Sequence, residues 1–428
     1  MAAEQLRVSV DEVVARLLAR YEREGWAPTL LGVGPMSSLV VRAALEVGRE
    51  AECPVMLIAS RNQVDSAAFG GGYAEGWTQD SFTASIRRLA QEVGFAGPLW
   101  VCRDHGGPWH RDEELRGRLP LEEAMASALR SYQADVQAGF HLLHVDPTRD
   151  PSGRVSLGAV TERSLTLVRS IERVRREGGL APISYEIGTE ETSGGLTGEA
   201  DFTGFISGLL DHLSAEELPR PAFIVGQSGT LVRMHENVGT FDGATAQRLA
   251  GIARKHGLGF KEHNADYVAT EMLAEHPALG ITAANIAPEL GAAETEALLA
   301  LADREAAALQ AKPVAGVTPS GLRQTVTEKA LATGRWMKWL RAAEKGTTEA
   351  ELRADPARLA EMALVCGHYV FTDPEVQAAR RRLYDNARTL GITTDPERAV
   401  LDGVKEDIVR YVEAFRLAGL NRWLAGKG

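Results

Sequence analysis

Between positions 29 and 288 the chain repeats one pattern eight times: a short apolar run that stops at polar or glycine residues, then a longer amphipathic stretch. The runs are TLLGVG (29–34), VMLIAS (55–60), LWVCRDH (99–105), FHLLHVD (140–146), PISYEIG (182–188), AFIVGQSG (222–229), LGFKEH (258–263) and GITAANIAP (280–288). Between them lie segments such as SLVVRAALEVGRE and TERSLTLVRSIERVRREGG, whose apolar residues recur at i, i+3 and i+4 and several of which end in Gly, the usual helix C-cap. Eight strand–helix units predict parallel strands joined by right-handed crossovers, and so a closed (β/α)8 TIM barrel; an open doubly wound sheet is the alternative.

After about residue 300 the strand pattern stops and only helical periodicity remains, as in ETEALLALADREAAALQ and DPARLAEMALVCG. We therefore divide the chain into a barrel over 1–300 and a helical C-terminal extension over 301–428, packed on the barrel. Within the extension, TGRWMKWLRAAEK places Trp336, Lys338 and Trp339 close together, a pattern that suits core packing, an interface or a flap over the barrel mouth. The first 25 residues mix Glu, Asp and Arg into an amphipathic helix and do not resemble a secretion signal. No stretch approaches the ~20 apolar residues of a membrane span, and a cytoplasmic location is expected.

Charge narrows the partners. A formal net charge of -11 disfavours nucleic acid, which is bound through Lys and Arg, but leaves room for a small anionic substrate held by local fields. Cys53, Cys102 and Cys366 are odd in number and lack CxxC spacing, which argues against a disulfide framework and a thiolate zinc site. Neither GxxxxGK[ST] nor a GxGxxG after a strand occurs, so no nucleotide cofactor is expected.

Active sites of such barrels sit at the C-terminal ends of the strands, where this sequence is consistently polar. Asp104 and His105, within CRDHGGPWH, pair a proton acceptor with a metal ligand, or else brace a loop through Arg103. His263 follows the seventh strand, and two imidazoles with a carboxylate or carboxamide make a divalent-metal site. Glu186 and Glu190, in YEIGTEE, supply a further ligand and a further acid/base group, or a solvated loop edge; an acid inside the apolar strand needs a partner. His144 and Asp146 orient a ligand or satisfy the barrel rim. Ser37, Asn62, Gln63, Asp146, Ser228, Asn264, Asp266 and Asn285 complete the polar ring as candidate substrate contacts. The glycine-rich stretches at 69–73 and 192–198 offer backbone N–H groups to a phosphate.

Several of these segments, in order, carry a family resemblance: SRNQVDSAAFGGGY with WTQDSFTASIRRLAQEVGF, then RDHGGPW, HVD, SYEIGTEE and EHNADY. Over most of its length the chain resembles the Z-subunit family of class II D-tagatose-1,6-bisphosphate aldolases. The resemblance implies that Asp104 is the acid/base, that His105 and His263 bind zinc, and that Gln227 stands where catalytic aldolases place a third histidine. It further implies a ketohexose phosphate substrate and one of two roles. One is 4-epimerisation of tagatose 6-phosphate to fructose 6-phosphate; the other is non-catalytic support of a separate aldolase subunit. A homo-oligomer is expected. Some members carry a tagatose-6-phosphate kinase label, for which this sequence offers no ATP-binding motif.

Overall fold

In the computed structural model, which describes residues 8–153, 155–188 and 197–426, all eight apolar runs form strands. They are β1 (Leu30–Val33), β2 (Val55–Ser60), β3 (Leu99–Gly106), β4 (Leu142–Val145), β5 (Ser184–Gly188), β6 (Phe223–Val225), β7 (Gly259–Glu262) and β8 (Ile281–Ile286). Each pairs in parallel with its sequence neighbour, and β1 pairs with β8 through Leu30–Ala283 and Gly32–Asn285, which closes the barrel. The strands read as apolar runs because both faces are buried, one against the helices and one inside the barrel.

Helix ends follow the predicted chemistry. Thr78 and Ser81 cap the helix Gln79–Val93 reciprocally, and its C-cap Gly94 is left-handed at φ 72°. The N-terminal segment is the helix Val10–Glu24, capped by Ser9. It lies against the strand N-termini: Ser184 bonds Asp11, and the Trp100 indole donates to the Val8 carbonyl at 2.9 Å. The three cysteines are buried and free, and no helix among the described residues is long and apolar enough to cross a membrane.

Beyond β8 the chain is helical among the described residues, starting with Pro288–Ala311. Helix Pro396–Ala414 packs between Ser38–Glu50 and Pro288–Ala311, which fastens the last quarter of the chain to the barrel wall. Lys405 meets Glu50 at 2.8 Å and Glu46 at 3.2 Å across this seam, and Arg398 reaches Glu46 at 2.8 Å. The extension also reaches the mouth: Trp336 is buried, while Lys338, Trp339 and Tyr369 line the cavity there. Packing and a wall over the mouth thus both come from the one Trp-rich segment.

Period-two alternation divides the charges of β3 between two environments. Arg103 points outward and grips Asp135 of helix Leu121–Ala138 at 2.5 and 2.8 Å, also donating to the Ala59 and Val64 carbonyls. Asp104 points inward to Asn285, whose amide donates to it at 3.0 Å. Arg103 therefore has its own buried partner, and Asp104 is left for the barrel interior.

Gly32 makes room for this contact, because a Cβ there would lie 2.1 Å from Oδ1 of Asn285. Gly32→Ala is expected to displace Asn285 and lower stability by about 1–3 kcal/mol, the usual cost of overpacking. Urea unfolding monitored by circular dichroism measures it; an unchanged midpoint contradicts the close approach.

Candidate active site

At the end of β3, His105 takes a left-handed conformation at φ 42°, a costly choice for a residue with a Cβ. Gly107 follows at φ 127°, where a Cβ would meet the Asp146 carbonyl at 2.2 Å. This turn aims the His105 ring across the mouth. Its Nδ1 lies 2.7 Å from the Asp146 carboxylate, and its Nε2 lies 3.0 Å from Nδ1 of His263. His263 in turn meets Oε1 of Glu186 at 2.6 Å through Nε2, while Lys261 donates to the other Glu186 oxygen at 2.6 Å. A continuous chain of polar contacts thus runs from Lys261, deep in the barrel, to Asp146 at the rim.

His144 stands beside this chain. Its Nδ1 accepts from the His105 backbone N–H at 3.2 Å, and its ring centroid is 4.8 Å from that of His263. Its Nε2 is buried and has no hydrogen-bond partner among the described residues, a costly state that a ligand would relieve. The imidazoles of His105, His144 and His263 each offer a nitrogen, and the three nitrogens lie within 4.8 Å of one another. His105, His110 and Asp146 form an adjoining group with the same property. His110 Nε2 approaches Asp146 to 3.1 Å without the alignment of a hydrogen bond.

Burial sets the protonation of these rings. Loss of solvation holds His144 and His263 well below the usual imidazole range, and Glu186, near His144, and Asp104, near His263, only partly oppose it. Both are therefore neutral at neutral pH, the form in which imidazole binds a metal. For Asp146 burial acts upward, but the close approach of His110 and the hydrogen bond with His105 outweigh it and hold the carboxyl well below its usual range. Neutral imidazoles clustered within reach of one point and two carboxylates touching them fit a divalent cation.

Asp104, His105 and His263 face a cavity of about 360 Å³ at the strand C-termini. Of the candidate substrate contacts, Asn62, Gln63, Asn264, Asp266 and Asn285 line it. Asp266 also accepts from the backbone N–H groups of Ala287 and Glu289 at 2.9 Å, and burial with the nearby Glu289 pushes its carboxyl up to about 7. Three others do not line the cavity. Ser37 caps helix Ser38–Glu50 and bonds Glu294; Ser228 bonds Glu262; Asp146 holds His105 and Thr148. Gln227 is buried after β6, its Nε2 without a partner among the described residues, and its backbone N–H donates to Thr197 at 2.8 Å. Glu190 and most of the glycine-rich stretch at 192–198 lie outside the described residues.

Sequence reasoning missed Lys261, although a lysine two positions before His263 in an apolar strand shares its face by alternation. It read His144 as a group that orients a ligand or satisfies the barrel rim; its ring stands within the imidazole cluster. His110 joins from a loop, where no periodicity marks it.

Residues 16–203 match the model of a family described as D-tagatose-1,6-bisphosphate aldolase subunit GatZ/KbaZ-like. The family resemblance is to GatZ/KbaZ-like proteins. The GatZ subunits of Escherichia coli strains SMS-3-5 and O1:K1 are 28% identical to this chain over 290 residues, covering 62% of it and 66% of each subunit. The chain thus spans just under two thirds of the length of these relatives. The GatZ/KbaZ-like match contains β1 to β5, and with them Asp104, His105, His144, Asp146 and Glu186; His263 and Asn285 lie beyond it. Among solved structures, a probable tagatose 6 phosphate kinase from Sinorhizobium meliloti superimposes with a TM-score of 0.70 at 22% identity, covering 90% of this chain and 100% of that one. A fructose-bisphosphate aldolase from Campylobacter jejuni gives 0.56 at 14% identity, with 97% of each covered. At these identities the likeness concerns the fold, a (β/α)8 barrel.

The Lys261–Glu186 pair yields a stability prediction. Lys261→Met leaves a carboxylate buried against His263 without its cation, and is expected to cost about 3–5 kcal/mol. Lys261→Met combined with Glu186→Gln should recover much of that loss, because no unpaired charge remains. Urea unfolding of the two single variants and the double variant measures the coupling; additive losses contradict it.

Proposed function

We propose that the protein is a cytoplasmic enzyme of carbohydrate metabolism that interconverts D-tagatose 6-phosphate and D-fructose 6-phosphate by metal-dependent epimerisation at C4. The observation that carries this reading is the placement of Asp104. Its carboxylate is fixed by Asn285, lies 3.5 Å from His263 and opens on the cavity beside the imidazole cluster. The relatives' description as tagatose-bisphosphate aldolase subunits supports the sugar and the aldol chemistry.

In this reading Asp104 removes the C4 hydroxyl proton, the C3–C4 bond breaks, and its electron pair becomes an enediolate over C2 and C3. A divalent ion, proposed as zinc, held by His105, His263 and His144 would supply Lewis-acid stabilisation of that enediolate. Gln227 and Glu186 remain candidate ligands, and Glu190 a second acid/base. Rotation of the bound aldehyde and re-addition invert C4, and Asp104 returns the proton. Atoms and electrons balance without a redox or nucleotide cofactor. The cavity walls, including Asn62, Gln63, Asn264 and Asp266, would hold the sugar hydroxyls and exclude water.

A second reading follows from the relatives' name as subunits: a partner that stabilises a catalytic aldolase. Co-expression separates the two, since only this reading requires a stable complex with a longer-lived aldolase. A kinase reading has no phosphate-loop sequence to support it.

The decisive assay incubates the purified protein with tagatose 6-phosphate and zinc, manganese or magnesium, and follows fructose 6-phosphate. Asp104→Asn should keep its metal by elemental analysis while turnover falls by about a hundredfold or more. His105→Ala should lose metal and activity together. No product with any metal, or full activity in Asp104→Asn, rejects the proposal.

A further inference from the structure

Besides Asp104, His105 and His263, the cavity is lined by three cations: Arg149 after β4, Arg233 in a short hairpin after β6, and Lys338 from the helical extension. The hairpin pairs Val232–Arg233 with Glu236–Asn237. Its position is fixed by the extension. The Met234 backbone N–H donates to the Trp339 carbonyl at 3.1 Å, Arg341 pairs with both Glu236 and Glu361, and His235 lies 2.7 Å from Glu361. Arg233 and Lys338 therefore reach the mouth as parts of one coupled unit.

The charges in this unit are poorly compensated. Among the described residues Arg233 is half-buried and its guanidinium has no carboxylate partner, donating at 2.7 Å to the adjacent Val232 carbonyl. Burial lowers its pKa, the direction expected of a cation that has lost water without gaining an anion. Arg149 likewise has no ion-pair partner among the described residues. Lys338 is 3.8 Å from Asp112 and otherwise sits over the rings of Trp339 and Tyr369. Asp112 is shared with Arg335, 3.7 Å away, so one carboxylate serves two cations. In a chain of net charge -11, three cations lining one cavity, only one of them within ion-pair distance of a carboxylate among the described residues, form a local exception.

We infer that Arg233 and Lys338, with Arg149, form a phosphate subsite, so that the hairpin and the helical extension select the phosphorylated end of the substrate. Arg233 supplies the planar fork suited to phosphate oxygens, and Lys338 supplies a point charge backed by aromatic faces. The subsite rests on the proposed sugar-phosphate reading for the identity of the ligand's other end, but not for its anion.

The test titrates inorganic phosphate into the full chain by calorimetry at low ionic strength, comparing the unmodified protein with Arg233→Gln and Lys338→Gln. Arg88→Gln, an exposed arginine outside the cavity, serves as the control. Each cavity variant should weaken phosphate binding by about tenfold or more, the scale of losing one charged hydrogen bond, while the control binds as the unmodified protein does. Lys338 is exposed, so its variant keeps the test decisive if Arg233→Gln folds poorly. No phosphate binding by the unmodified protein, full affinity in both cavity variants, or an equal loss in the control overturns the subsite. Phosphate binding also separates this inference from the reaction. If the unmodified protein binds phosphate, the cavity variants lose it, and no epimerisation is found with any metal, the reaction fails and the subsite stands.

Discussion

The interior of the barrel mouth depends on a buried charge pair, Lys261 with Glu186 at 2.6 Å, both 1% exposed as side chains. A carboxylate in a closed barrel needs a cation or a donor on each oxygen, and Glu186 has one of each: Lys261 on one side and His263 on the other. That second contact fixes the His263 ring, which faces His105, which in turn is held by Asp146. The orientation of His263, and through it of His105, thus traces back to the neutralisation of one acid in β5. Charges placed this way are weak evidence for stability and better understood as devices for position. They set three rings at contact distance while burial keeps two of them neutral.

The helical extension belongs to the same design. A barrel alone would leave its mouth open to solvent; here the hairpin after β6 is tied to the extension through Met234, Trp339 and Arg341, and together they wall the cavity. The seam formed by Lys405, Arg398 and Glu46 anchors the extension on the far side of helix Ser38–Glu50. The strand-end residues of the cavity and the Arg233 and Lys338 cations therefore come from different parts of the chain, held together by these contacts.

Much of this was legible in the sequence because strands buried on both faces must be short apolar runs, and all eight were. Asp104, His105 and His263 were legible for a related reason: polar residues that end such runs must face the mouth. The rest was hidden by geometry that periodicity does not encode. Ser37 and Ser228 look like rim residues but spend their hydroxyls on Glu294 and Glu262, partners far away in sequence or on the outer face. His144, read as a group that orients a ligand or satisfies the barrel rim, sits one strand from His105, where the barrel's curvature brings its ring into the cluster. Arg233 lies in a two-residue strand too short to leave a pattern, and its place at the mouth appears only when the hairpin packs on the extension. Lys261 was readable by alternation and was overlooked because a lysine in a core strand contradicts the usual expectation.

The account stands on the three imidazoles acting together as a metal site. Crystals of the protein soaked in zinc, with anomalous diffraction collected on both sides of the zinc absorption edge, test this most directly. The account predicts one strong anomalous peak bounded by the ring nitrogens of His105, His144 and His263. A fully formed cluster with no peak there, or zinc bound only between His110 and Asp146, contradicts it.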